Sequence, residues 1–362
     1  MKVLIDARLG WGSGIGRYVA NTVPHVARLR YDDSFDIAVM PDDVGRASEA
    51  MGGLENVGIR PVSITPFSIK EQIDFPVVAA GYDVTWFTNY WVPLAFNGRY
   101  IATVHDILHV RPDLFPTGLV KRQLAKRVFN KLARTASGVI FVSRFTCREF
   151  FAEFGAPKNW VVAHNGIDHS GWQAFNPLDI PVKSKRLLTV GASKAHKNFD
   201  MLVDAWQSAA VGSDWRLTII SPDDKLRSSI DLRAIGDRAK QTEILHGVSN
   251  ARLREIYGEA QIMLTPSLYE GFGLPFMEAM QAGAFCISST ADAMVEIGAG
   301  AFAWYVNPRD QQGWTAAIEQ ACYLFDSGDF DFAPMQRHNM AHAAQFSWRS
   351  VGQATADMLD RI

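Results

Sequence analysis

Two glutamates bracket a glycine turn in the run Tyr269-Glu270-Gly271-Phe272-Gly273-Leu274-Pro275-Phe276-Met277-Glu278. Gly271 and Gly273 free the backbone just before a helix, and Pro275 suits that helix's first turn. The amides of Phe272, Gly273 and Leu274 can therefore point at a phosphate or a sugar oxygen. Two carboxylates cannot hold a phosphate directly, but they accept hydrogen bonds from hydroxyls. An elongated ligand with both phosphates and hydroxyls fits, and a sugar nucleotide has that make-up. The plain alternative is that Glu270 caps the helix and Glu278 is solvated.

Three other places carry candidate chemistry. Gly12-Ser13-Gly14-Ile15-Gly16 stands between the first apolar run and a helix, where glycines let amides approach an anion. Its spacing is G-x-G-x-G, not the G-x-G-x-x-G of dinucleotide folds, and a tight turn without ligand is the alternative. His105-Asp106 follows the apolar run Ile101–Val104. A histidine at the carboxyl end of a strand can donate to a substrate hydroxyl or stabilise developing charge. Lys194-Ala195-His196-Lys197-Asn198 follows Arg186–Val190, and a lysine there is a point charge for a diphosphate leaving group. A solvated basic loop is the competing reading.

Strands and helices must position these groups. Val3–Ile5, Ile37–Val39, Val84–Phe87, Ile101–Val104, Val139–Val142 and Trp160–Ala163 read as buried strands, with helices over Tyr18–Leu29 and Leu119–Arg134. A second series follows: Arg186–Val190, Arg216–Ile220, Glu243–Leu245, Ile262–Thr265, Phe285–Ser288 and Ala303–Val306. Helices Phe199–Ala209, Asn250–Glu259, Pro275–Ala282 and Gly313–Leu324 lie between them. Apolar runs without period-2 alternation, interleaved with helices, predict parallel sheets covered on both faces. The break lies near Gly171–Lys185, punctuated by Asn176-Pro177 and Ile180-Pro181. The fold class is α/β, two doubly wound Rossmann-like domains over 1–175 and 176–346, facing across a cleft that would hold a small molecule.

Composition narrows the function. Thirty-six Lys and Arg against 38 Asp and Glu leave a charge of −2, unlike the basic excess of nucleic-acid binders. Cys147, Cys286 and Cys322 lack CxxC spacing and read as buried thiols. Met1-Lys2-Val3-Leu4-Ile5 runs into Asp6 and Arg8, a strand rather than a signal peptide, and no apolar window is long enough to span a bilayer. A reducing cytosolic location is expected. Asp329-Phe330-Asp331 matches a metal-binding D-x-D triplet but sits in a late Gly/Asp-rich connection, so no metal is expected. Leu119–Arg134 repeats Val120, Leu124, Val128 and Leu132 every four residues among six cations. Such a helix can lie on anionic lipid or be an ordinary domain helix with a solvated face. Trp86-Phe87-Thr88-Asn89-Tyr90-Trp91 could bind an acceptor's apolar part or belong to the core.

The run Thr265 through Glu278-Ala279-Met280 resembles the E-x7-E signature of retaining GT-B glycosyltransferases of family 4. The likeness takes in nearly the whole chain: Ser13-Gly14-Ile15-Gly16-Arg17-Tyr18, Thr103-Val104-His105-Asp106, Val142-Ser143, Asn165-Gly166-Ile167-Asp168 and Lys197-Asn198, in the family's order. The resemblance implies that Glu270 contacts the transferred sugar and Glu278 holds the ribose hydroxyls. Phe272, Gly273 and Leu274 would bind sugar and diphosphate through their amides, and Lys197 would neutralise the diphosphate. Gly14 would let the first loop approach the phosphates. His105 would contact the donor sugar, its carbonyl facing the oxocarbenium-like centre, and His246-Gly247-Val248 would lie beside the nucleobase. The chain after about Ser347 would cross back to the first domain. One departure stands out: Gly191 is followed by Ala192, where many members carry Arg, so Lys194 or His196 would supply the charge.

The resemblance further implies hexosyl transfer, with mannose from GDP-mannose, to a glycan or polyprenyl-linked acceptor in surface polysaccharide synthesis. The partners are then a sugar nucleotide and that acceptor, without nucleic acid, with a peripheral contact at the inner membrane. A UDP-sugar-dependent transferase of the same fold is the nearest alternative. An NAD-dependent oxidoreductase or epimerase is opposed by the glycine spacing. A periplasmic-type two-domain ligand binder is opposed by the absent signal peptide.

Overall fold

The computed structural model describes residues 1–12, 14–116, 118–167, 183–221 and 236–362. They divide into two compact units, Met1–Gly171 with Phe346–Ile362, and Trp172–Gln345. Most of the expected linker, together with Ser13 and Asp168 of the quoted motifs, lies outside the described residues. Of that linker Ser184 and Lys185 are already strand.

The first unit is built on seven parallel strands: β1 (Lys2–Asp6), β2 (Ser34–Val39), β3 (Val57–Pro61), β4 (Val84–Phe87), β5 (Tyr100–Val104), β6 (Gly138–Phe141) and β7 (Trp160–Val162). Their order is β3-β2-β1-β4-β5-β6-β7. Val3, Leu4 and Ile5 are all buried, which is why consecutive apolar residues are needed: both faces of the strand are covered. β3 escapes sequence reading because it has no apolar run. It is an edge strand, where Pro61 is tolerated, and Gly58 is small because a Cβ there would lie 2.5 Å from the Asp36 carboxylate.

The helices of this unit are α1 (Gly14–Leu29), α2 (Val44–Met51), α3 (Ile69–Val78), α4 (Leu119–Thr135) and α5 (Arg144–Phe154). Right-handed crossovers put α1 and α2 on one face of the sheet and α3, α4 and α5 on the other. Caps start two that periodicity did not reveal: Ser68 accepts from the Glu71 amide and Ser143 from the Thr146 amide. The last helix, Trp348–Asp360, packs on α1, where Gly352 leaves a Cβ only 2.5 Å from the His25 Cβ.

The second unit carries β8 (Ser184–Val190), β9 (Arg216–Ser221), β10 (Thr242–His246), β11 (Ala260–Thr265), β12 (Phe285–Ser289) and β13 (Ala303–Val306), all parallel, in the order β10-β9-β8-β11-β12-β13. α6 (Phe199–Ser208) and the helix Gln311–Ser327 cover one face, with Trp206, Trp215 and Trp314 fully buried between helices and strands. In each sheet the strand order reverses once, between β1 and β4 and between β8 and β11. Loops leaving such a pair diverge to opposite faces and open a crevice at the carboxyl ends.

Candidate active site

At the reversal of the second sheet, the loops after β8 and β11 are tied together. The Leu268 amide donates to the His196 carbonyl at 2.7 Å. Asn198 adopts a left-handed backbone, φ 60°, a conformation that asparagine tolerates better than most residues. Its amide donates to the carbonyls of Pro266 and Pro308 at 3.1 and 2.7 Å. This clamp fixes the short 3-10 turn Ala195–Lys197 and with it the Lys197 side chain. At Gly191 a Cβ would press on the Phe199 ring at 3.2 Å and touch the Lys197 stem at 3.4 Å.

Lys197 Nζ donates to Glu270 Oε1 at 2.6 Å, and Ser267 Oγ donates to the same oxygen at 2.7 Å. The two charged side chains are 16% and 12% exposed. Burial pulls the Glu270 carboxyl upward, but the charge and bond of Lys197, the Ser267 bond and the nearby His196 outweigh it, so its pKa lies below the usual carboxylate range. Glu270 is therefore an anion at neutral pH. Among the described residues nothing donates to its Oε2.

Gly273 stands at the N-cap of the helix Leu274–Gln281 with φ 95°. Only glycine suits the position. It has the left-handed backbone, and a Cβ would meet Met294 Sδ at 2.6 Å and Ile297 Cδ1 at 3.3 Å. No side chain caps this helix, and Pro275 has no N–H. The amides of Gly273 and Leu274 are what its positive end offers to an anion. Phe272 is buried, and Glu278 is 1% exposed, not solvated.

At the reversal of the first sheet, Gly12 and Gly14 have open space where a Cβ would be, whereas Gly16 packs against Trp11 and its amide bonds Gly10 O at 2.9 Å. The tight turn is thus made by Gly16, and the open positions are Gly12 and Gly14. His105 Nε2 lies 2.9 Å from Thr88 O. A carbonyl only accepts, so Nε2 carries the proton. Burial lowers the His105 pKa against the smaller opposing pull of Thr88 and Asp106. The neutral ring then presents Nδ1 as an acceptor, which corrects the expectation that it donates to a substrate hydroxyl. Tyr18 packs edge-on against the ring, centroids 5.0 Å apart. Thr88 in turn donates its hydroxyl to Asp6 O at 2.8 Å, linking the ends of β1, β4 and β5.

Comparison with known proteins decides the family. A family model described as "Glycosyltransferase Family 4" matches residues 12–170, and one described as "Glycosyl transferases group 1" matches residues 184–322; between them they take in most of the chain. The chain belongs to the family 4 glycosyltransferases. The O-antigen chain mannosyltransferase RfbU of Salmonella typhimurium is 28% identical over 66% of this chain and 65% of its own length. O-antigen chain mannosyltransferase B of Escherichia coli is 27% identical over 74% of this chain and 71% of its own. The GDP-mannose:cellobiosyl-diphosphopolyprenol alpha-mannosyltransferase of Xanthomonas oryzae is 26% identical over 64% of this chain and 60% of its own. The matched stretch thus spans about two thirds of these relatives. Among solved structures, Anabaena HepE in complex with UDP and glucose superposes with TM-score 0.77 at 16% identity, each chain fully covered. Sucrose-phosphate synthase from Thermosynechococcus elongatus gives 0.76 at 17% identity, over 100% of this chain and 98% of its own. These last two likenesses establish the GT-B fold.

Within this glycosyltransferase the structure brings together Glu270, Lys197 and the helix end at Gly273–Leu274. It keeps Lys194 exposed at the start of the 3-10 turn and buries His196. Val248 is half-buried after the left-handed Gly247, between β10 and Ser249, which caps the next helix. His105 and Gly14 belong to the first unit. One open reading is now decided. Trp86, Phe87 and Trp91 are core, and Tyr90 stacks on Phe129. Asp331 caps a helix by accepting from the Ala333 amide, and no group of ligating side chains that could hold a metal occurs among the described residues. No helix among the described residues is long and apolar enough to cross a membrane.

Sequence reading missed Ser267 as a partner of Glu270, because the two lie in a loop, where a three-residue spacing does not set side chains together. It also missed the buried Arg8, which bonds both Asp6 oxygens and Glu71. Glu71 sits in α3, a helix that periodicity did not reveal, so nothing in the sequence tied those charges together.

Proposed function

We propose that the chain is a retaining hexosyltransferase that moves mannose from GDP-mannose to a glycan or polyprenyl-linked acceptor in surface polysaccharide synthesis. It would act on the cytoplasmic side, at the inner face of the plasma membrane, and without a metal. The names of the matched relatives support the donor and acceptor. The observation that carries the reading is the anionic Glu270, held by Lys197 and Ser267 beside an uncapped helix N-terminus at the strand-order reversal. Glu270 Oε2 accepts from a sugar hydroxyl, while the Lys197 ammonium and the amides of Gly273 and Leu274 take up charge as the diphosphate leaves. Glu278 holds the ribose hydroxyls, Val248 lies against the base, Lys194 supplies the second cation, and Gly14 gives the phosphates access. His105 meets the donor sugar through Nδ1 and its carbonyl. The acceptor oxygen bonds to the anomeric carbon on the face the leaving group vacates, and its proton passes to the departing phosphate oxygen.

Calorimetric titration with GDP-mannose, UDP-glucose, UDP-GlcNAc and NAD separates the donors. GDP-mannose is expected to bind at least tenfold more tightly than the others. The product anomer and turnover in EDTA follow with a polyprenyl-diphosphate-linked oligosaccharide. Preference for a UDP-sugar would replace the donor and leave the class. Binding of NAD alone, or an inverted product, would overturn the reading.

A further inference from the structure

We infer that the outer face of α3 and the first turn of α4 form one docking surface for an anionic lipid bilayer. This deepens the lipid-linked reading by naming the surface, and it rests on that reading for its purpose only. On α3, Ile69, Ile73 and Val77 recur every four residues and so share one side, yet they are 87%, 69% and 72% exposed. The opposite side buries Glu71 and Phe75. A surface helix ordinarily turns its polar side to water; α3 turns an apolar stripe outward, about 12 Å long at 1.5 Å per residue.

α4, which shares a core cluster with α3, supplies charge. α4 holds six cations and no acid in its 17 residues. Lys126 is paired with Glu153, and Lys131 donates to the carbonyls of Leu94 and Phe96. No described acid pairs with Lys121, Arg122, Arg127 or Arg134. Its first turn also exposes Leu119 and Val120, and the buried stripe is Ala125, Val128, Phe129 and Leu132. The four-residue stripe expected from Val120 is therefore displaced, and Val120 stands in solvent.

The two helices lie on one face of the sheet and share one core cluster through Phe75, Val128 and Phe129. Gln72 of α3 accepts from the Ala95 amide while Lys131 of α4 donates to Leu94 O, so both grip the same loop. Each helix begins at the carboxyl-end edge of the sheet, the edge that carries Gly14 and His105. Apolar side chains beside unpaired cations fit a membrane interface with anionic headgroups. A second copy of this face would set like charges against each other.

The test is flotation of the full chain with vesicles of phosphatidylglycerol and phosphatidylcholine, against vesicles of phosphatidylcholine alone, neither containing donor or acceptor. Wild type is expected to float with the anionic vesicles, and Ile69→Ser/Ile73→Ser/Val77→Ser to bind about tenfold or more weakly. Reversing Lys121 and Arg122 to glutamate is expected to do the same. An environment-sensitive dye on Ile73→Cys should shift to the blue on anionic vesicles; the native Cys147, Cys286 and Cys322 are buried. No flotation of wild type, or flotation unchanged by the triple variant, would overturn the inference. So would a dimer in solution that the triple variant dissolves. Donor titration in lipid-free buffer judges the mannosyl reading separately, since these residues lie outside the donor site.

Discussion

Replacing Lys197 by alanine separates what its bond to Glu270 does for the fold from what it does for the reaction. The ammonium lies 2.6 Å from Glu270 Oε1, with both side chains largely buried. Removing one partner of a fully buried pair costs about 3–5 kcal/mol, because the other charge stays behind uncompensated. Residual solvent contact and the Ser267 bond reduce this to about 2 kcal/mol. For a unit of this size that is a fall of about 4–8 °C in the unfolding midpoint. The pH dependence should also change sign. In the wild type the Glu270 pKa is depressed, so its contribution is present above the unfolded value of about 4.3 and is lost as pH falls through the folded value. Without Lys197, burial prevails and the folded pKa rises above the unfolded one. The carboxylate then costs stability as pH rises through that interval. Calorimetry should show the variant's deficit shrinking on acidification from about pH 7 toward about pH 4. Turnover is the second readout: losing a cation from the place where leaving-group charge develops costs about 10²–10³ in kcat. Lys197→Met/Glu270→Gln leaves no orphan charge, so it should recover most of the stability and none of the turnover. A double variant that regained turnover along with stability would show the pair to be a strut, and the catalytic reasoning would be wrong.

Two glycines make a contrasting pair. Gly273→Ala must adopt φ 95° and place a Cβ 2.6 Å from Met294 Sδ; it should lose about 2 kcal/mol or more and weaken donor binding, read by thermal shift with and without GDP. Gly14→Ala meets nothing within 4 Å, so stability should stay within about 0.5 kcal/mol while the donor KM rises; an unchanged KM would remove Gly14 from the phosphate site. For His105, ring-nitrogen NMR should find the Nε2–H tautomer, titrating below the usual value of about 6.5. Its depressed pKa means that stability is lost as pH falls through the folded value, and a titration at or above 6.5 would refute the assignment.

The strands that carry the chemistry were legible because burial on both faces demands consecutive apolar residues, as in Val3–Ile5 and Ile262–Thr265. The loops after them were legible because glycine and charge interrupt those runs. What stayed hidden is set by side-chain geometry across strands. No spacing along the chain places Lys197 against Glu270, 73 residues away. That pairing follows from β8 and β11 being neighbours at the strand-order reversal. Nor does the pattern distinguish Gly14 from Gly16: both read as permissive, yet one faces open space and the other is wedged against Trp11. α3 was missed for a physical reason that bears on its use. Sequence periodicity finds a helix by assuming that its apolar side faces inward. In α3 the recurring apolar positions Ile69, Ile73 and Val77 face out, and the buried side is Glu71, satisfied by Arg8 and Trp91, with Phe75. A stripe inverted in this way costs solubility unless something covers it. Asp6 and Arg8, which let α3 bury Glu71, sit at the carboxyl end of β1, one of the two strands between which the sheet reverses, so the outward turn of α3 is anchored at the strand end from which the chain runs on to Gly14.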